Sequence, residues 1–260
     1  MRRRALALLL ALALAAPGGA AAAETPPLPD VEWSFEGLFG TFDRASVRRG
    51  FQVYSEVCVA CHSLNQLYYR SLGQIGYGAE EVAEIAAQRQ VTAGPNDEGE
   101  MFERPGQASD RFVAPFPNEN AARAANNGAA PPDLSLMVKA REGGADYLYA
   151  ILTGFREQPP AGVTAAEGMY YNDFFDDANE ETPGGQIAMA PPLNDDQVQY
   201  ADGTEATVEQ MARDVATFLA WSAEPELETR KRMGIKVILF LLVLTGMFYA
   251  VKRKVWSRLH

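Results

Sequence analysis

Thiols and imidazoles are scarce in this 260-residue sequence, which holds two cysteines and two histidines. Two thiols fall short of the four of an ordinary iron–sulfur cluster, and once both are used in one motif none is left for a structural zinc site. Once the two cysteines are used together, nothing is left for a disulfide framework. Internal repeats are absent, and low complexity is confined to the first residues. Bases are scarce as well. Between residues 24 and 229, 34 acids face 12 bases, a net charge of −22. Such a segment repels nucleic acid and attracts basic partners.

What is present centres on Cys58-Val59-Ala60-Cys61-His62. Two cysteines two residues apart with a histidine directly after is the pattern for covalent attachment of a c-type haem. Each thiol adds across one vinyl group, and the histidine is held beneath the iron as an axial ligand. A redox disulfide of the thioredoxin kind would need a strand before the motif and a helix after it. The pattern here is helical: Asp43 is an N-cap candidate, and Val47, Phe51 and Tyr54 share one face of a helix running into Cys58. Gly50, on the same side, allows close approach of another helix.

Long apolar runs are limited to the two ends. Residues 1–23 read as an export signal: Arg2–Arg4, an apolar stretch from Ala5 to Ala16, and Ala21-Ala22-Ala23 as a small-residue cleavage site. Near the other end, Ile235 to Val251 is almost wholly apolar, bracketed by Arg230-Lys231-Arg232 and Lys252-Arg253-Lys254. At ~1.5 Å per residue it spans about 26 Å, close to a ~30 Å hydrocarbon core. The expected organisation is a cleaved signal over 1–23, a periplasmic haem domain over 24–229, a single transmembrane anchor over 230–254 and a cytoplasmic tail over 255–260. The flanks carry similar charge, so the export signal, rather than the positive-inside rule, sets the orientation.

His260 then lies across the membrane from the haem, which excludes a second histidine ligand from the same chain. Methionine is the alternative, and it raises the potential for electron transfer. Of eight methionines, Met1 is in the leader and Met233 and Met247 lie at the anchor. Met137 and Met211 occupy core positions of helices, and Met101 lies in an acidic loop. Met189 and Met169 remain. Met189 is favoured because Pro191-Pro192 fix the backbone beside it.

Other elements are read from local pattern. Residues 64–93 look largely helical and residues 94–120 look like an acidic surface loop. A helix is expected near Asp133, carrying Leu136, Met137 and Ala140, and a second capped by Asp146. Thr207 and Gln210 form a capping box for an amphipathic helix that Pro225 ends.

Taken together, several stretches resemble the cytochrome c1 family, the haem-bearing subunits of bc1 complexes (quinol–cytochrome c oxidoreductases). They are Arg48 to Tyr54 leading into Cys58–His62, Ala124 to Gly128, Pro131 to Ser135, Met189 to Leu193, Ala223 to Glu226 and Arg230 to Gly234. The resemblance spans about Phe35 to Trp256. It implies a mainly α, class I cytochrome c-like haem domain with long loop insertions, followed by one C-terminal transmembrane helix. It implies one haem c held by Cys58 and Cys61, with His62 and Met189 as axial ligands and Asn126, Pro132, Arg141 and Tyr147 lining the group. Arg141 is expected to pair with a propionate. The Pro132 carbonyl is expected to bond the free ring nitrogen of His62. Read without the resemblance, Arg141 and Tyr147 are equally ordinary surface and core residues. Some bacterial relatives carry a disulfide near the methionine loop, for which this chain has no cysteines.

The expected role is electron transfer in the bacterial inner membrane. An electron would come from the Rieske iron–sulfur subunit and pass to a soluble basic cytochrome c, with cytochrome b and membrane lipid as further partners. The assembly would be a dimer of heterotrimers or larger. A free-standing anchored shuttle and an open-haem peroxidase are the alternatives; carbon monoxide binding to the reduced protein would mark the second.

Overall fold

The computed structural model describes residues 26–177 and 184–258. The expected export signal, the acids Glu180 and Glu181, and His260 lie outside the described residues. In chain order the elements are α1 (Arg44–Glu56), 3-10 turns at Cys58–Ala60 and Tyr69–Ile75, α2 (Ala79–Ala87), β1 (Gln90–Ala93), β2 (Phe102–Pro105), α3 (Glu119–Ala125), α4 (Met137–Ala140), α5 (Gly144–Thr153), β3 (Tyr170–Asn172), β4 (Gly185–Ile187), α6 (Val208–Ala223) and α7 (Leu227–Trp256). The architecture is mainly helical, with two antiparallel hairpins, β1–β2 and β3–β4.

The centre of the domain is the packing of α1 on α6. Asp43 caps α1 as its sequence suggests, its Oδ1 accepting from the Ala45 amide at 2.9 Å. The buried face of α1 carries Val47, Gly50, Phe51, Val53 and Tyr54. A Cβ on Gly50 would lie 2.0 Å from the Asp214 carbonyl oxygen and 2.7 Å from the Phe218 Cβ. The missing side chain is therefore what lets the two helices touch. Phe51 and Tyr54 pack on Phe218 with ring centroids 5.6 and 5.8 Å apart, and Trp221 continues the aromatic stack. Thr207 caps α6 by accepting from the Gln210 amide at 3.1 Å. The Gln210 side chain does not close a capping box; it turns inward to donate to Asp214 at 3.0 Å.

Three stretches depart from local expectation. Residues 64–93 contain only one full α-helix, α2, between a 3-10 turn and β1. The acidic stretch after it is not simply a loop: β2 returns to pair with β1, Gln90 opposite Pro105 and Ala93 opposite Phe102, and Arg104 grips Asp110 with two bonds of 2.7 and 2.8 Å. Asp133 caps no helix, since α4 starts four residues later; its oxygens are used at the site described below. Asp146 lies in the first turn of α5, but its Oδ1 accepts from the Trp33 indole at 2.7 Å and so ties down the N-terminal arm.

Only three residues separate α6 from α7, a 30-residue helix long and apolar enough to cross a membrane. Its apolar window has a mean hydropathy of 2.2 and none of it is buried against the domain. The helix begins eight residues before Ile235, so the basic residues 230–232 are helical too.

Candidate functional site

The Cys58–His62 motif follows α1 without a break. The Val57 amide still bonds the Val53 carbonyl at 2.9 Å, and the chain then tightens into a turn in which the amides of Cys61 and His62 both bond the Cys58 carbonyl, at 3.1 and 2.9 Å. The Tyr54 hydroxyl, one turn back, donates to the His62 carbonyl at 3.1 Å. Helix and motif are thus one unit, and the packing of α1 on α6 positions the thiols. Both cysteines are free. Burial pushes the Cys58 thiol up to about 12, with the neighbouring Cys61 adding to the shift. At neutral pH the thiol is protonated, unlike the low-pKa thiolates of redox cysteines.

The His62 ring is hydrogen-bonded to Pro132: its Nδ1 lies 2.8 Å from the Pro132 carbonyl oxygen. A carbonyl can only accept, so Nδ1 carries the proton and Nε2 keeps its lone pair for a metal. Burial lowers the imidazole pKa against the pull of that bond and of Asp133. The ring is therefore neutral, the form that ligates.

Pro132 is held in turn by a network that sequence reasoning missed. Asp133 Oδ2 accepts from the Ser63 hydroxyl and from the Asn65 amide, both at 2.7 Å, and Oδ1 accepts from the Ser135 amide at 2.9 Å. The Leu134 amide donates to the Ser63 carbonyl at 2.9 Å, and the Gln66 amide donates to the Ser135 hydroxyl at 3.0 Å. Segments 62–66 and 132–135 are thereby zipped together. Burial opposes the Asp133 charge, but these bonds outweigh it and hold the carboxyl below its ordinary range. The available signal was Asp133 and Ser135 in Pro-Pro-Asp-Leu-Ser, two short polar side chains beside a proline pair.

The other candidates lie on separate elements. Asn126 ends α3, its side-chain Nδ2 donating to the Ala122 carbonyl at 2.7 Å. Arg141 follows α4 with its guanidinium exposed, 3.5 Å from the Ala140 carbonyl, too far for a holding bond. Tyr147, on α5, is half-buried against the core. Met169 immediately precedes β3 and Met189 follows β4 by two residues. With Tyr170 opposite Ile187, both methionines fall at the same end of one hairpin. The structure therefore brings the two methionines to one end of the hairpin without choosing between them. That end lies beside the Asn126 segment, because a Cβ on Gly168 would come within 3.5 Å of the Asn127 side chain. Two free thiols, a neutral imidazole with a fixed tautomer, and a methionine-bearing hairpin are a donor set that fits a covalently attached haem.

Residues 33–259 match the Cytochrome C1 family. The cytochrome c1 of Rhodospirillum rubrum is 45% identical over 267 residues, covering 96% of each chain. A mitochondrial cytochrome c1 heme protein of Arabidopsis thaliana is 52% identical over 230 residues, 88% of this chain and 72% of the relative. The cytochrome b/c1 of Bradyrhizobium diazoefficiens is 48% identical over 253 residues, 89% of this chain; the match spans only 36% of that longer protein.

Proposed function

This chain belongs to the cytochrome C1 family, and on that premise we propose that it is the haem-carrying electron-transfer subunit of a quinol–cytochrome c oxidoreductase. In this reading the subunit accepts one electron from a Rieske iron–sulfur subunit and passes it to a soluble basic cytochrome c, with cytochrome b as its membrane neighbour. The observation that carries the reading is the His62 ring, held at 2.8 Å by Pro132 one residue after two free cysteines. That contact prepares Nε2 as a metal ligand.

Cys58 and Cys61 would hold a haem c covalently, with His62 Nε2 and the Met189 sulfur on its two faces and Asn126, Pro132, Arg141 and Tyr147 around it. Once attached, the haem supplies reversible one-electron chemistry at its iron. The chain's own residues do the rest. Pro132 fixes the imidazole tautomer, and the exposed Arg141 guanidinium offers a charge-assisted bond to a propionate. With His62 and Met189 both holding the iron, the chain would leave no place there for oxygen or substrate. The surplus of acids over bases between residues 24 and 229 raises the encounter rate with a basic partner.

The proposed topology has a signal cleaved near residue 23, a periplasmic haem domain, one pass through the inner membrane by α7 and a cytoplasmic tail, in a dimer of heterotrimers or a larger assembly. The test is mild-detergent purification of the tagged protein, followed by a reduced-minus-oxidised spectrum. We expect b-type bands to accompany the c band and quinol-driven cytochrome c reduction to elute with them. A c band alone from gently solubilised membranes would favour a free-standing shuttle.

A further inference from the structure

We propose that the turn at Leu38 and Phe39 is a second membrane contact, inserted into the lipid interface beside the root of the anchor. The proposal rests on the reading of α7 as a membrane anchor. Phe39 is 79% exposed and Leu38 is 60% exposed. Among the described residues no large apolar side chain is more exposed than Phe39; the most exposed on α7 itself reaches 65%. Nothing in the turn's own construction calls for apolar residues at its tip. Its base is already closed by backbone bonds, Glu36 N to Trp33 O at 3.1 Å and Thr41 N to Ser34 O at 2.9 Å. Beneath it, Trp33, Phe35 and Phe42 are buried.

The height of the tip is set by polar clamps onto the start of α7. The Lys231 ammonium donates to the carbonyls of Phe35 and Gly40 at 2.6 and 3.1 Å. Glu228 accepts from the Phe42 amide at 3.0 Å and pairs with Arg44 at 3.0 Å. Lys231 lies four residues before Ile235, the first residue of the apolar run, which is about 6 Å along the helix axis. The headgroup layer on each side of the hydrocarbon is of comparable thickness, so the clamp puts the tip within it. Leu38, Phe39, Arg232 and Ile235 line one groove of about 190 Å³, so the exposed pair is continuous with the lipid-facing side of the anchor.

Charge selects lipid as the occupant. The domain is strongly acidic and the turn itself carries exposed Glu36, yet the adjoining start of α7 adds exposed Arg232 and Lys236, one helical turn apart. Their spacing and sign suit lipid phosphates, and aromatic and aliphatic side chains beside such cations are the composition of an interfacial contact. A protein partner docking on this corner is the competing outcome.

The test is nitroxide labelling of the full holoprotein in lipid nanodiscs. The two native cysteines are consumed in the holoprotein, so single labels can be placed at F39C, at L241C in the anchor and at E98C on the distant β1–β2 hairpin. The readout is accessibility to oxygen against a water-soluble nickel complex. We expect the label at 39 to show an oxygen-to-nickel ratio several-fold above that at 98 and below that at 241, rising further when phosphatidylglycerol replaces part of the phosphatidylcholine. A label at 39 that matches 98, while 241 reports lipid, overturns the proposal. A label at 39 shielded from both reagents also overturns it, in favour of a protein cover. A label at 241 that reports water overturns the anchor reading itself, and the proposal with it.

Discussion

Arg49 of α1 and Asp214 of α6 meet in a two-pronged ion pair inside the domain, with Nε–Oδ2 at 2.8 Å and Nη2–Oδ1 at 3.0 Å. The carboxylate is completely buried and accepts two further bonds, from the Ser46 hydroxyl at 2.7 Å and from the Gln210 side-chain Nε2 at 3.0 Å. Desolvation of the carboxylate is offset because all four contacts are made together. Asp202 takes the remaining arm of the guanidinium at 2.9 Å. Asp214→Ala should destabilise the haem domain by about 3 kcal/mol, the scale for breaking a buried pair. Denaturant unfolding followed by far-UV circular dichroism reads this directly. A loss below about 1 kcal/mol would mean that Arg49 is satisfied by Asp202 and solvent alone.

Gly50→Ala tests the same helix crossing from the steric side. The added methyl would meet backbone at 2.0 Å, so α1 and α6 must separate. Overpacking on this scale costs about 3 kcal/mol. Because α1 carries the cysteine motif at its end, yield of covalently haem-loaded protein should fall with stability. Wild-type stability in this variant would show that the helices can part without cost.

Met189→Leu should lower the midpoint potential by more than about 100 mV, a modest part of the ~0.8 V range that axial ligands span, while the protein stays folded. Met169→Leu, made at the same end of the β3–β4 hairpin, should leave the potential nearly unchanged. A redox titration of both variants decides between the sulfurs, and the reverse pattern would assign the ligand to Met169.

The Asp133 carboxyl has a folded-state pKa below its unfolded value. Its contribution to stability is therefore complete above the ordinary aspartate range, near pH 4, and is lost as the pH falls through the folded value. Protection of the Asn65 amide relative to its intrinsic exchange rate should fall below about pH 4 for this reason. Asp133→Asn should remove that acid sensitivity and exchange faster at neutral pH. An Asn65 amide equally protected at all pH values in both proteins would rule the network out as the support of the His62 segment.

In the proposed role, electron delivery to a basic soluble cytochrome c should slow as ionic strength rises, since exposed charges are screened within about 8 Å at physiological salt. Stopped-flow rates across a salt series test this. A flat profile would remove any steering role for the acidic residues.

What could be read without coordinates was what is encoded locally. The caps Asp43 and Thr207 and the apolar faces of α1 and α6 lie within a few residues of the backbone they organise, and the long apolar helix α7 stands out by composition. The β1–β2 hairpin was hidden because its Gly, Pro and acidic residues spell a loop, whereas its pairing depends on contacts from Gln90 to Pro105. Asp133 was misread for a related reason. An aspartate ahead of an apolar run looks like a helix cap, but its partners, Ser63 and Asn65, lie 70 and 68 residues away. The Pro132–His62 bond was anticipated only through the family resemblance, because no local pattern links the two residues.

The short junction between α6 and α7 has a mechanical consequence. A core helix ends at Ala223, and after Glu224-Pro225-Glu226 the anchor helix begins, with Arg230 and Lys139 both paired to Glu224. Such a joint is a mast rather than a leash. In the proposed topology it leaves little slack for the domain to roll over or rise from the bilayer, so the His62 face would keep one latitude above the membrane. On that reading, partners that exchange electrons with this chain would bring their own centres to that latitude rather than wait for the domain to swing to them.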